Sequence, residues 1–150
     1  KEQNASRATE ELTVALKEQI DQGLIEVEQR DGKVFVTVGS GGAFPSGTAD
    51  LTGEAQRIMD RIALTAMSPD SSITVTGHTD DVPISNGQFR DNWDLGAGRA
   101  ASVVQAIQST GLISGDRLSA VSKGEMAPLA DNNTAAGREQ NRRIEIEISY

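Results

Sequence analysis

Apolar and polar positions alternate with a period that changes along the chain. From Ala5 to Gln22 the segment is polar, with Leu12, Leu16 and Ile20 on one face, and Gly23 follows. That pattern predicts an amphipathic helix ended by glycine. Leu24–Arg30 and Lys33–Val38 then alternate with period two on either side of Asp31-Gly32, which predicts a β-hairpin. Gly39–Gly47 is expected to be loop. Thr52 can cap a helix running to about Ala66, with Ile58, Met59 and Ile62 facing inward. Pro69-Asp70-Ser71 predicts a turn and Ser72–Gly77 a strand, followed by a long polar loop over Thr79–Asn92. Trp93–Ser109 predicts the second main helix, stopped by Gly111. Arg117–Ser122 is expected to be a short strand, Lys123–Gly137 a loop, and Ile144–Ile148 a strand alternating Ile with Glu. Strands interleaved with helices, the last strand wet on one face, imply an α+β fold. We expect an α/β sandwich with a mixed sheet and helices on one face. Residues 1–23 are assigned to an N-terminal linker helix and 24–150 to the domain.

One position breaks the pattern of the second main helix. At ~100° per residue, positions 95, 99, 103 and 106 lie within about a quarter turn. Leu95, Val103 and Ala106 are apolar, yet Arg99 sits among them. A guanidinium in a core-facing stripe costs several kcal/mol unless it is paired. Asp80, at the end of the strand ending Gly77-His78-Thr79-Asp80, is the nearest candidate partner in sequence. Asp80 on its own is as much a loop-capping residue as a ligand contact. The in-stripe arginine tilts the reading toward a charged clamp for a ligand with both a carboxylate and an ammonium.

Composition narrows what such a clamp can serve. The 150 residues are 37% hydrophobic and 3% aromatic, with a net charge of −8. The core is therefore aliphatic. Nucleic acid or an anionic membrane surface is excluded as the main partner, since both need a basic field. There is no cysteine, hence no disulfide or thiolate chemistry. The single histidine, His78, cannot build a histidine metal site, and no ligand cluster has metal spacing. We therefore expect no cofactor. His78 is read as hydrogen-bonding at a strand end. No serine sits in a nucleophile elbow, and the adjacent Asp80 and Asp81 point to opposite faces, so no catalytic constellation is expected. Against the acidic background, Gly137-Arg138-x-x-Asn141-Arg142-Arg143 is a dense basic cluster. Arginine rather than lysine suits planar carboxylate recognition, structural or ligand-borne. The glycine-rich Gly39–Gly47 lacks a P-loop ending and is read as a binding rim. The chain starts at Lys1 inside a helix-like pattern, and we expect an upstream part, with any targeting information, to be missing.

Together these motifs resemble the OmpA-like peptidoglycan-binding domain. The matching residues are Gly77-His78-Thr79-Asp80, then Asn92-x-x-Leu95-Gly96-x-x-Arg99-Ala100-x-x-Val103, then Gly124 and Pro128, and Gly137-Arg138-x-x-Asn141-Arg142-Arg143-Ile144-Glu145-Ile146. The resemblance covers roughly Val34 to Ser149. It departs at Gly96, where the family usually has serine, and at Gly47, where it has asparagine. The loop Asp80-Asp81-Val82-Pro83-Ile84 resembles that of flagellar stator B subunits (MotB and PomB), as does the preceding helix. The resemblance implies a β/α/β/α/β sheet and non-covalent capture of diaminopimelate in the peptidoglycan stem. Arg99 would take its carboxylate and Asp80 its ammonium. Thr79, Phe44, Ser46 and Gly47 would line the groove, and Asn92, Leu95 and Arg143 would shape it. It further implies a homodimer in the periplasm below an inner-membrane helix, a stator A partner and contact with flagellar basal-body ring proteins. A porin- or lipoprotein-type outer-membrane tether is the alternative, a wall hydrolase using Asp80 or Asp81 a second, and a purely structural interaction domain a third.

Overall fold

The computed structural model describes residues 2–150. Helices α1 (Glu2–Ala15) and α2 (Lys17–Asp21) are followed by strands β1 (Ile25–Arg30) and β2 (Lys33–Gly39). Next come a single helical turn α3 (Ser40–Ala43), helix α4 (Gly53–Thr65), strand β3 (Ser72–His78) and helix α5 (Asn92–Ser109). Strand β4 (Leu118–Gly124), helix α6 (Ala135–Asn141) and strand β5 (Arg143–Ser149) complete the chain. The five strands form one mixed sheet in the order β1-β2-β5-β3-β4, with only β3 and β4 parallel. The expected α+β architecture is what the chain adopts.

Side-chain alternation sets the two faces of the sheet. Val34, Val36 and Val38 of β2 lie opposite Ile148, Ile146 and Ile144 of β5, and Ile73 and Val75 of β3 continue the row. All are buried under α1, α4 and α5. Glu145 and Glu147 occupy the other face, facing Thr37 and Phe35. The hairpin forms as expected, with Asp31 at φ 53° and Gly32 at φ 74°, the handedness that matches strand twist. Thr52 caps α4 by accepting from Ala55 N at 3.2 Å. Ala5, Ala8, Leu12 and Leu16 pack into the same core as the sheet.

Three local expectations change. The helix expected over Ala5–Gln22 starts earlier and is interrupted at Leu16, although Ile20 N still bonds Leu16 O at 2.9 Å. The loop Gly39–Gly47 contains the turn α3. The segment around Gly137, expected to be loop, contains α6, capped by the Thr134 hydroxyl accepting from Gly137 N at 2.9 Å. A glycine mid-segment disguised this helix. A Cβ on Gly137 would stand 1.8 Å from the Asp131 carbonyl oxygen, so the loop crossing there requires it. Gly77 plays the same part in the sheet, where a Cβ would fall 2.1 Å from Gly96 O. Helix α5 therefore lies directly on β3, bringing Arg99 and the end of β3 to one site. At Gly96, the position that departs from serine, an added Cβ would be 2.5 Å from Ser122 Oγ.

Candidate functional site

Four segments converge on a pocket of about 460 Å³. The α3 region supplies Ser40, Gly41, Phe44, Ser46 and Gly47. The loop after β3 supplies Asp80, Val82, Pro83 and Ile84. Helix α5 contributes Asn92, Leu95 and Arg99, and α6 with its C-cap contributes Arg138 and Arg142. The connection leaving β3 carries its carboxylate to the same end of the sheet where α5 begins, as the strand–loop–helix order anticipates.

Asp80 and Arg99 share this pocket but are not an ion pair. Asp80 Oδ2 accepts from Arg142 Nη1 at 2.6 Å, and its Oδ1 accepts from Val82 N at 3.0 Å. Its carboxylate thus closes an Asx-type turn and is bonded to Arg142 at the C-cap of α6. Arg99 Nε donates to the Thr48 carbonyl at 2.7 Å, and the guanidinium lies 4.9 Å from the centroid of Phe44. Among the described residues no carboxylate reaches Arg99 within ion-pair distance. Burial, reinforced by the positive charge of Arg142 and only partly offset by Asp80, pushes the Arg99 guanidinium down to about 10. The expected Asp80–Arg99 pairing is therefore replaced by Asp80–Arg142, and Arg99 lines the pocket without an ion-paired carboxylate, its charge only partly offset by Asp80.

The other sequence-predicted residues divide clearly. Phe44, Ser46, Gly47, Asn92 and Leu95 line the pocket. Asn92 also straps the loop, its Nδ2 donating to Val82 O at 3.1 Å and Asp80 O at 3.3 Å. Thr79 lies off the lining, buried, with N bonded to Gly124 O at 2.8 Å. Arg143 also lies off it. Its Nε donates to Glu145 Oε2 at 2.8 Å and its Nη atoms to the carbonyls of Asn141 and Ala127, each at 3.0 Å. Arg142 and Arg143 point to opposite sides because β5 begins between them. The residues facing the pocket from the basic cluster are Arg138 and Arg142, four apart on one helical face. That spacing is visible in sequence, but it sets a shared face only because the segment is helical. Asn141 holds α6 in place. Its Oδ1 accepts from Leu129 N at 2.7 Å and Ala130 N at 2.9 Å, and its Nδ2 donates to Ala130 O and Asn132 Oδ1.

His78 is buried without the expected hydrogen bond. Its Nε2 approaches Glu145 Oε1 at 3.4 Å, and neither ring nitrogen has a hydrogen-bonded partner. Asp81 is exposed while Asp80 is buried, so the two carboxylates do not converge. Among the described residues no group of His, Asp and Glu is arranged to hold a metal ion, and no helix is long and apolar enough to cross a membrane.

A family model described as the OmpA family matches residues 43–142, the interval that contains most of the pocket. Motility protein B of Bacillus subtilis (strain 168) is 32% identical over 125 residues, which are 83% of this chain and 48% of that relative. The chain thus spans about half the length of that relative. Among solved structures, the cell wall anchor of the T6SS from Pseudomonas aeruginosa superposes with a TM-score of 0.84 at 31% identity, covering 92% of this chain and 96% of that one. The periplasmic domain of Helicobacter pylori MotB superposes with a TM-score of 0.75 at 27% identity, covering 83% and 81%.

Proposed function

Because this chain belongs to the OmpA family, we propose that it is a non-catalytic anchor that binds peptidoglycan by gripping diaminopimelate in the stem peptide. The observation that carries this reading is Arg99, a buried guanidinium facing a pocket with no carboxylate of its own to pair with. A carboxylate entering from the ligand completes it with two parallel N–H···O bonds. Asp80, fixed by Arg142 and the Val82 amide, keeps lone pairs for the ligand ammonium. Val82, Pro83 and Ile84 offer apolar wall to the aliphatic stem between them.

The resemblance to Motility protein B and to the MotB periplasmic domain supports a stator anchor in the periplasm. In this reading residues 1–23 link the domain to a membrane segment that pairs with the stator A subunit. Torque needs a fixed point, and wall binding provides it. A homodimer presents two pockets to one polymer, so weak single contacts multiply. Release of α1, whose buried face is mostly alanine, would let the domain reach outward. The likeness to the T6SS wall anchor favours a second reading, in which the same domain fixes a secretion machine.

Co-sedimentation with purified diaminopimelate-type sacculi tests the first statement. The wild type should pellet, and Arg99→Ala and Asp80→Ala should stay in the supernatant while retaining the wild-type circular dichroism. Equal pelleting of all three would overturn the assignment. Muropeptides released by the wild type and not by Asp80→Asn would refute a non-catalytic role. Swimming-plate assays of a strain carrying the variants separate stator from secretion anchor.

A further inference from the structure

The pocket lining is unbalanced in charge. Asp80 is its one carboxylate, against the guanidiniums of Arg99, Arg138 and Arg142. Asp80 is already engaged by Arg142 at 2.6 Å, so Arg99 and Arg138 are left as two positive charges in excess. The whole chain carries −8, so this surplus is local and opposed to the field around it. The side-chain end of diaminopimelate, one carboxylate and one ammonium, is neutral overall. It can satisfy Arg99 but cannot discharge the remainder.

Arg138 and Arg142 are four residues apart, adjacent on one face of α6 and its C-cap. Arg138 Nη1 is tied to Asn132 O at 2.9 Å, and α6 is held by the bonds of buried Asn141. The two forks are therefore held in place, which suits recognition of a planar anion. We propose that Arg138, together with the N–H groups of Arg142 that Asp80 does not take, forms a second carboxylate subsite, filled by the free α-carboxylate of the γ-linked D-glutamate that precedes diaminopimelate in the stem. The proposal rests on the diaminopimelate reading above. It makes the wall's glutamate amidation state, as well as its diaminopimelate, a determinant of anchoring. The electrostatic strain on Arg99, which Arg142 augments, is relieved by the same anion.

Isothermal titration of this domain with two peptides tests the subsite. The first is L-alanyl-γ-D-glutamyl-meso-diaminopimelate, and the second is its analogue with the glutamate α-carboxyl as carboxamide. The wild type should prefer the acid peptide by about tenfold. In Arg138→Gln the preference should fall to about twofold or less, with affinity for the amide peptide unchanged, the signature of a coupling between that arginine and that carboxylate. Arg138→Lys should restore part of it. Equal weakening of both peptides in Arg138→Gln would overturn the subsite, since it would report only the general field. Wild-type indifference to amidation, with binding still abolished by Arg99→Gln, would overturn the subsite alone. Failure of both peptides to bind the wild type would instead overturn the diaminopimelate reading, and this proposal with it.

Discussion

Replacing Arg99 with methionine separates what this residue does for the fold from what it does for the pocket. Arg99 is 5% exposed, donates Nε to Thr48 O at 2.7 Å, and sits 4.9 Å from the Phe44 centroid. A hydrogen bond from a charged donor contributes about 1.5–3 kcal/mol, and the cation–π contact about 0.5–2 kcal/mol. Against these, burial and Arg142 push the guanidinium down from its ordinary value to about 10. That shift corresponds to about 3 kcal/mol against the charged form. A base whose folded-state pKa is depressed carries this penalty at every pH below about 10. Methionine keeps the aliphatic stem buried while removing the charge, its penalty and its two contacts together. The opposing terms run from about −1 to about +2 kcal/mol and centre near zero. The melting temperature of Arg99→Met should then stay within about 4 °C of wild type, with sacculus binding lost. Thermal unfolding by circular dichroism alongside co-sedimentation reads both. A fall of more than about 8 °C would refute the reasoning, because the guanidinium would then be a net contributor to the fold. Undiminished binding would refute its role in the pocket.

Other positions give sharper stability effects. Gly77→Ala places a Cβ 2.1 Å from Gly96 O, a backbone clash that should cost about 3 kcal/mol in urea unfolding; a cost under about 0.5 kcal/mol would show that α5 can lift from β3 freely. Asn141→Ala removes bonds to Leu129 N, Ala130 N and Ala130 O from a fully buried side chain. It should destabilise by about 2–3 kcal/mol and weaken ligand binding as α6 loosens; unchanged binding in a folded variant would remove Asn141 from the site's support. Glu145 is held down to about 2 by the His78 ring, whose Nε2 approaches Oε1 at 3.4 Å, and by its bond to Arg143, against some desolvation. A depressed carboxylate stabilises the fold above its unfolded value and loses that contribution as pH falls through the folded one. With its side chain 38% exposed, screening limits Glu145→Gln to a cost of about 1 kcal/mol at pH 7. Urea titrations from pH 7 downward should show that cost shrinking below about pH 4.5 and gone near pH 2; a pH-independent difference would contradict it.

What the sequence made legible follows from how local each determinant is. The β1–β2 hairpin was readable because Asp31-Gly32 dictates a turn by backbone preference alone. The α4 cap at Thr52 and the Val/Ile rows of β2 and β5 were readable for the same reason, since cap and period are written in adjacent residues. Helix α6 was hidden because Gly137 answers to a distant atom, the Asp131 carbonyl, and a glycine seen locally signals a break. Without that helix the facing of Arg138 and Arg142 is not legible, and Arg143, which the sequence places at the site, instead bonds Glu145 on the sheet face away from the aliphatic core. The Asp80–Arg99 pairing failed on a similar point. The sequence shows that a buried arginine needs an anion, but not which cation reaches Asp80 first. Arg142, distant in sequence, reaches it across the β5 junction. A position where local rules call for pairing and the fold withholds it is a mark of function. Arg99 is such a position. The fold commits Asp80 to Arg142 and leaves a buried guanidinium supported by one carbonyl and one ring, the arrangement that the proposed capture of a ligand carboxylate requires.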